Sequence, residues 1–243
     1  MKAFLLAAGK GTRLAPMTDS IPKCLVPIAG KPLLLIWIKL FEKWGIREVL
    51  INTHHLADLV EQFIDTISQQ TSVSITLAHE DTLLGSGGTV LANKQFVEKE
   101  TDFLIAYADN LTNLNIRNMT HNHMEFKKKG GVLTMGLVRV PNPSACGIAK
   151  MDPTGKITSF VEKPKDPPDN LANAGIYVAS EDIFKFFPEP DETHGEDVLD
   201  FGYHILPRMT DSMYGYEIKE YLRDIGTIKS YDKANKEWPE HQG

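Results

Sequence analysis

Residues 3–27 read Ala-Phe-Leu-Leu-Ala-Ala-Gly-Lys-Gly-Thr-Arg-Leu-Ala-Pro-Met-Thr-Asp-Ser-Ile-Pro-Lys-Cys-Leu-Val-Pro. The run Ala3 to Ala8 is apolar without alternation, the pattern of a strand buried on both faces of a parallel sheet. In such sheets ligands bind beyond the carboxyl ends of the strands, so substrate is expected at the loop that starts at Gly9. Gly9 and Gly11 let the backbone approach an anion with its N–H groups turned inward, and Lys10, Arg13 and Lys23 supply positive charge. The stretch has the composition of a phosphate site.

Two common phosphate loops do not fit it. A dinucleotide fingerprint needs a third glycine where this chain has Leu14, and an immediate helix that Pro16 and Pro22 disfavour. A Walker A loop needs Gly-Lys followed by Ser or Thr, whereas Lys10, Lys31 and Lys156 are followed by Gly11, Pro32 and Ile157. The pattern that remains, Gly9-x-Gly11-Thr12-Arg13-Leu14-x-Pro16-x-Thr18 with Pro22-Lys23 and Pro27 behind it, resembles the signature of sugar-1-phosphate nucleotidyltransferases, also called nucleoside-diphosphate-sugar pyrophosphorylases.

The 243 residues suit one α/β domain, expected to divide into a nucleotide-binding part over about 1–130 and a sugar-binding part over about 131–243. A net charge of −6 and a pI near 5.8 exclude an extended nucleic-acid-binding face. An acidic chain that binds a triphosphate must use a few local cations and a metal ion. Cys24 and Cys146 make no disulfide framework, which points to reduced thiols in a cytoplasm. The N-terminal apolar run is too short for a signal peptide, and no later run is long enough to span a membrane.

Beyond the loop, strands at Glu48 to Asn52, Val73 to Ala78, Asp102 to Tyr107 and Gly131 to Val140 alternate with helical patterns. The helices are expected at Leu33 to Trp44, Leu56 to Ser68, Gly88 to Asn93 and Asn115 to Lys129. Alternation of this kind implies a mostly parallel sheet with helices on both faces. Ser144 to Val161 reads as a β-hairpin turning at Pro153-Thr154-Gly155. Together with the resemblance this is a Rossmann-like α/β fold: a mixed, mainly parallel sheet sandwiched by helices, with an inserted β-hairpin that binds sugar.

Asp109 follows the apolar strand Phe103 to Ala108, on the sheet edge that carries the glycine loop, and is placed to hold a hard cation against phosphates. The resemblance adds a second metal aspartate, Asp224 of Asp224-Ile225-Gly226-Thr227, and implies Mg²⁺ as cofactor. It implies that Arg13 and Lys23 are catalytic and that Ala8, Gly9, Gly11 and Thr12 hold the nucleotide phosphates. The segment Glu80 to Thr89 resembles the family's base-recognition segment, with Glu80, Gly85 and Gly87 as contacts: glycines let a flat base lie against backbone, and an acid suits the N–H groups of guanine. An exposed turn with a solvated acid is the bland reading of the same residues.

Glu162-Lys163-Pro164 matches an element in which the acid holds sugar hydroxyls and the lysine the sugar phosphate. Asn173, Gly175 and Gly147 would line the same pocket. Neighbours on a strand point to opposite faces, so Glu162 and Lys163 can share a pocket only if the strand bends, which Pro164 could cause. His121 and His123 read as surface histidines, while His54-His55 at the end of the second strand fit either the border of the pocket or a loop role equally well.

The implied reaction is attack of a sugar 1-phosphate on the α-phosphorus of a nucleoside triphosphate, giving a nucleotide sugar and pyrophosphate. GTP with a mannose- or heptose-type 1-phosphate is the leading pair. Uridylyl, thymidylyl or cytidylyl transfer and a non-catalytic nucleotide-sugar-binding regulator are the alternatives. The resemblance runs from Ala3 to about Ala234 without an appended β-helix or acyltransferase segment, so a bifunctional enzyme is not expected. Base, sugar and oligomeric state, self-association included, are not legible in the sequence.

Overall fold

A computed structural model describes residues 1–189 and 198–238. In chain order the main elements are β1 (Ala3–Leu6), α1 (Leu33–Trp44), β2 (Glu48–Thr53), α2 (Ala57–Ile67), β3 (Ser74–His79), α3 (Gly85–Ala92), β4 (Asp102–Tyr107), β5 (Asn110–Thr112) and α4 (Ile116–Lys127). They continue with β6 (Leu133–Arg139), β7 (Gly147–Met151), β8 (Ile157–Glu162), β9 (Leu171–Ser180), β10 (Met213–Glu217), β11 (Leu222–Asp224) and α5 (Ile228–Glu237). The chain forms two compact units: residues 1–83, 106–114 and 220–243, and residues 84–105 and 115–219.

In the first unit β1 pairs in parallel with β2, and β2 with β3, in registers that align Leu6 with Asn52 and Thr53 with His79. Their carboxyl ends therefore open along one edge. Ala3, Phe4 and Leu5 are fully buried, as the unalternating apolar run requires. Helix α1 turns Leu33, Leu34, Trp37, Ile38 and Phe41 inward and stops at Gly45, whose φ of 76° is the left-handed conformation that glycine adopts at helix ends. The Trp37 indole donates to the Ala108 carbonyl at 3.2 Å, which fixes the strand end that carries Asp109. Helix α2 starts one residue later than the expected Leu56. Val60, Ile64 and Ile67 are buried while Leu59 is exposed, and Leu56 caps the helix in a left-handed conformation instead of joining its face.

In the second unit β6 runs antiparallel to β9 and parallel to β10, and β7 and β8 form the expected antiparallel hairpin. The Asp152 carboxylate accepts from the Thr154 and Lys156 amides to close its turn. With parallel and antiparallel ladders both present, the chain is a mixed α/β protein.

His123 is not on the surface. It is 1% exposed, its Nε2–H donates to Asp102 at 3.3 Å, and its Nδ1 accepts from the Thr134 hydroxyl at 2.8 Å. Helical spacing puts it on the inner stripe of α4 with Ile116 and Met119. Burial lowers its pKa, against the attraction of Asp102. The folded chain therefore binds this proton less tightly than the unfolded chain. Its stabilising contribution is complete above the unfolded value of about 6.5 and declines as pH falls toward the folded one. In thermal melts between about pH 7 and about pH 5, His123→Gln is expected to lose less Tm per pH unit than the parent chain.

Candidate active site

The glycine loop is held by its own residues. Gly11 has φ 67°, and a methyl group there would meet the Thr18 methyl at 2.9 Å and Lys23 Cβ at 3.1 Å. The Thr18 hydroxyl donates to the Gly11 carbonyl at 2.8 Å, and Leu14 is fully buried beneath. This leaves Lys10, Thr12 and Arg13 exposed. A loop anchored by buried Leu14 and Thr18 can present cations without collapsing onto them.

Strand β11 pairs antiparallel with β5 so that Asp224 lies opposite Asn110, and the Ile225 amide donates to the Asp109 carbonyl at 2.8 Å. Asp109 and Asp224, far apart in the chain, thereby become neighbours. Lys23 forms an ion pair with Asp109. Gly226 carries no side chain where Asp224 and the Arg13 guanidinium crowd its Cα. The Asp224 carboxyl is raised above the ordinary carboxylate range by surrounding protein and by the Asp109 charge, against Lys23 and Arg13. Because the residue remains exposed, this marks a carboxylate at a crowded opening and not one sealed inside.

Two hard oxygen donors flanked by two cations suit Mg²⁺, which takes one or two carboxylates and completes its shell with substrate phosphates and water. Among the described residues no group of three or more His, Cys, Asp or Glu side chains is arranged to hold a metal. A self-sufficient protein cage would need more donors than this site offers. A metal that arrives with a nucleotide would not.

Glu80 lies just past β3 and is 5% exposed, so the reading of a solvated turn acid does not hold. Its carboxylate accepts from Asn52 Nδ2 at 2.8 Å, and Asn52 Oδ1 accepts from the Ala7 amide at 2.6 Å.

In the second unit the doubt about Glu162 and Lys163 is resolved by backbone geometry. Lys163 has φ 45°, so strand alternation ends at Glu162 and the two side chains share one side, with Nζ 3.7 Å from the Glu162 carboxylate. Gly147 and Gly202 both face Glu162 so closely that a methyl group on either would collide with its carboxylate. Burial raises the Glu162 pKa, Asp200 adds to the rise, and Lys163 opposes it. The Asn173 amide donates to the Tyr177 hydroxyl at 2.7 Å and its oxygen accepts from the Gly175 amide at 3.0 Å. The ladder bulges here, and Gly175 has φ 64°.

Gly85 and Gly87 leave room for a neighbouring segment of the chain. A Cβ on Gly87 would lie 3.2 Å from the Leu199 carbonyl, and one on Gly85 would lie 2.8 Å from the same residue's carbonyl carbon. The Gly87 and Gly88 amides donate to that carbonyl at 2.7 and 3.1 Å. The glycines are needed because residues 198–205 pack on the start of α3.

Sequence reading missed the residues that organise this segment. The Asp200 carboxylate accepts from the Gly202 and Tyr203 amides and from Ser86, and Lys163 sits 5.5 Å from the Tyr203 ring centre. An Asp two residues before a Gly is a cap signal, but no periodic apolar pattern accompanies it in the sequence.

The nucleotidyl transferase family profile matches residues 2–241. The chain belongs to that family. This nucleotidyl transferase is 29% identical over 236 residues to the mannose-1-phosphate guanylyltransferase catalytic subunit beta of Danio rerio. It is 30% identical over 251 residues to a UTP–glucose-1-phosphate uridylyltransferase of Synechocystis. These matches take in 95% and 96% of the chain but 62% of either relative's length. Among solved structures, a UDP-glucose pyrophosphorylase complexed with UDP-glucose superposes with TM-score 0.81 at 21% identity, over 98% of both chains. HddC from Yersinia pseudotuberculosis complexed with GMP-PN gives 0.79 at 24%, over 98% and 99%. At that identity the structures establish the fold.

Within the nucleotidyl transferase loop Cys24 is 2% exposed, and burial pushes its thiol up to about 12. It has no thiolate to offer as a nucleophile. Iodoacetamide on the native protein is expected to alkylate Cys146 first and to reach Cys24 only after denaturant is added, as peptide mass mapping would show. No helix of the described residues is long and apolar enough to cross a membrane.

Proposed function

We propose that the chain transfers a nucleotidyl group from a nucleoside triphosphate to a sugar 1-phosphate, releasing pyrophosphate. The observation that carries this reading is the Asp109–Asp224 pair with Lys23 and Arg13 beside it. Such a set neutralises a polyphosphate without presenting a nucleophile of its own. A sugar phosphate is already an anionic nucleophile near neutral pH, so positioning and charge neutralisation suffice.

In this reading the backbone of residues 8–12 and Arg13 hold the outer phosphates. Lys23, which the free protein pairs with Asp109, meets the charge that builds on the α-phosphate. Asp109 and Asp224 would hold Mg²⁺, which when bound supplies further neutralisation of the phosphates. Glu162 accepts from sugar hydroxyls and Lys163 meets the sugar phosphate, with Asn173, Gly175 and Gly147 shaping the wall. A chain acting only as a sensor has little need of the whole charged set.

GTP with a mannose- or heptose-type phosphate is the favoured pair. Glu80, buried beyond β3, is the right chemical type for the two N–H groups of guanine, and the guanylyltransferase relative agrees with it. The uridylyltransferase relative, of similar identity, makes UTP with a glucose-type phosphate the second reading.

Pyrophosphate release with Mg²⁺, across the common triphosphates paired with a panel of sugar 1-phosphates, decides between them. A signal only with UTP would keep the reaction and remove the base assignment. Silence throughout would remove the reaction. Asp109→Asn and Lys23→Ala are each expected to lower kcat by about 10²–10³-fold. Glu162→Gln is expected to raise KM for the sugar phosphate by about tenfold and leave KM for the triphosphate within about twofold, because it removes a charged acceptor from one substrate only.

A further inference from the structure

We propose that Asn52 is a positioning residue of the nucleotide site, a buried switchplate that ties the start of the phosphate loop to Glu80. The parallel registers set Asn52 beside Leu6 on one flank and Ala78 on the other, where β1, β2 and β3 all end. The residue is 4% exposed, so its amide has to be satisfied by protein groups.

The Ala7 amide can only donate, so the Asn52 atom facing it at 2.6 Å is the oxygen. That orientation turns Nδ2 toward Glu80, whose carboxylate accepts at 2.8 Å. One side chain thus fixes both the backbone leading into Ala8-Gly9 and the direction of the acid.

The residues that follow extend the hold. His54 Nδ1–H donates to the Glu80 carbonyl at 2.8 Å, and His55 Nε2–H donates to the Thr18 carbonyl at 3.0 Å. Thr18 is the residue that holds Gly11. A four-residue stretch at the end of β2 therefore grips the glycine loop at both of its ends and the acid beside it.

The inference rests on the nucleotide reading of this edge but not on the identity of the base. Its test is a pair of substitutions of reversed polarity. Asn52→Asp still accepts from Ala7 but sets an oxygen against the Glu80 carboxylate. Adding Glu80→Gln restores a donor to that contact.

Binding of the triphosphate that the parent chain turns over best would be followed by calorimetry with Mg²⁺, alongside kcat, KM and Tm. Asn52→Asp is expected to weaken binding and raise KM by about tenfold or more while kcat changes by less than about threefold. The double variant is expected to bind within about threefold of Glu80→Gln alone, so that Asn52→Asp costs little in that background, a coupling that independent sites do not show. Additive losses in the double variant, or a Tm loss in Asn52→Asp without an affinity loss, would overturn the proposal. Glu80→Gln alone, compared on GTP and on ITP, which lacks the 2-amino group, tests the guanine reading separately. An unchanged GTP-to-ITP ratio there would remove the base assignment and leave the coupling result to stand or fall by itself.

Discussion

Two carboxylates that repel each other have to be held side by side at an opening, and much of the first unit serves that constraint. The short β5–β11 ladder sets the distance, because pairing Asp224 with Asn110 leaves it no choice but to neighbour Asp109. Trp37 anchors Ala108 from below, and the Thr112 hydroxyl bonds the Tyr221 carbonyl at the far end of the ladder. Arg223 pairs with Glu237 of α5 at 2.7 Å, which ties the returning strand to the final helix. The repulsion is offset by Lys23 and Arg13, both delivered by the glycine loop. Loop and ladder are thus electrostatically dependent on each other, although each is locally well formed.

The second unit is organised around the segment that packs on α3. Leu199 satisfies the Gly87 and Gly88 amides, Ser86 and Asp200 bond each other, and Gly202 then meets Glu162. Phe201 stacks on Tyr177 at 5.6 Å, and Tyr177 holds Asn173. The acid, the lysine and the asparagine of the proposed sugar pocket are therefore fixed by one continuous network. Glycine is required at Gly147 and Gly202 because the Glu162 carboxylate occupies the space a side chain would need.

Position within the parallel sheet explains why Asn52 couples two segments. Adjacent parallel strands end together, so a polar side chain at the last turn of the central one reaches loops on both sides. A hydrogen bond made there in a buried setting is worth more than its surface counterpart, and breaking half of it leaves an unsatisfied partner.

The amino-acid sequence by itself determined the elements and the chemistry carriers. The apolar run of β1, the inward stripe of α1 and its Gly45 stop, the hairpin turn at Asp152 to Lys156, and the charged loop of residues 9–23 are all local patterns, and local patterns survive translation into structure. Tertiary structure alone decided what those residues touch. Nothing near residue 52 announces a bond to Ala7 and Glu80, nothing in Glu162-Lys163 states that Lys163 takes φ 45°, and nothing in Gly85 to Gly88 reveals Leu199. His123 lies on the buried side of its helix for the same reason: its polarity suggests the surface, while Asp102 and Thr134, from two strands, supply the partners that burial requires. Strand register and side-chain pairing across long chain separations depend on how elements pack, and periodicity along the chain carries no record of that.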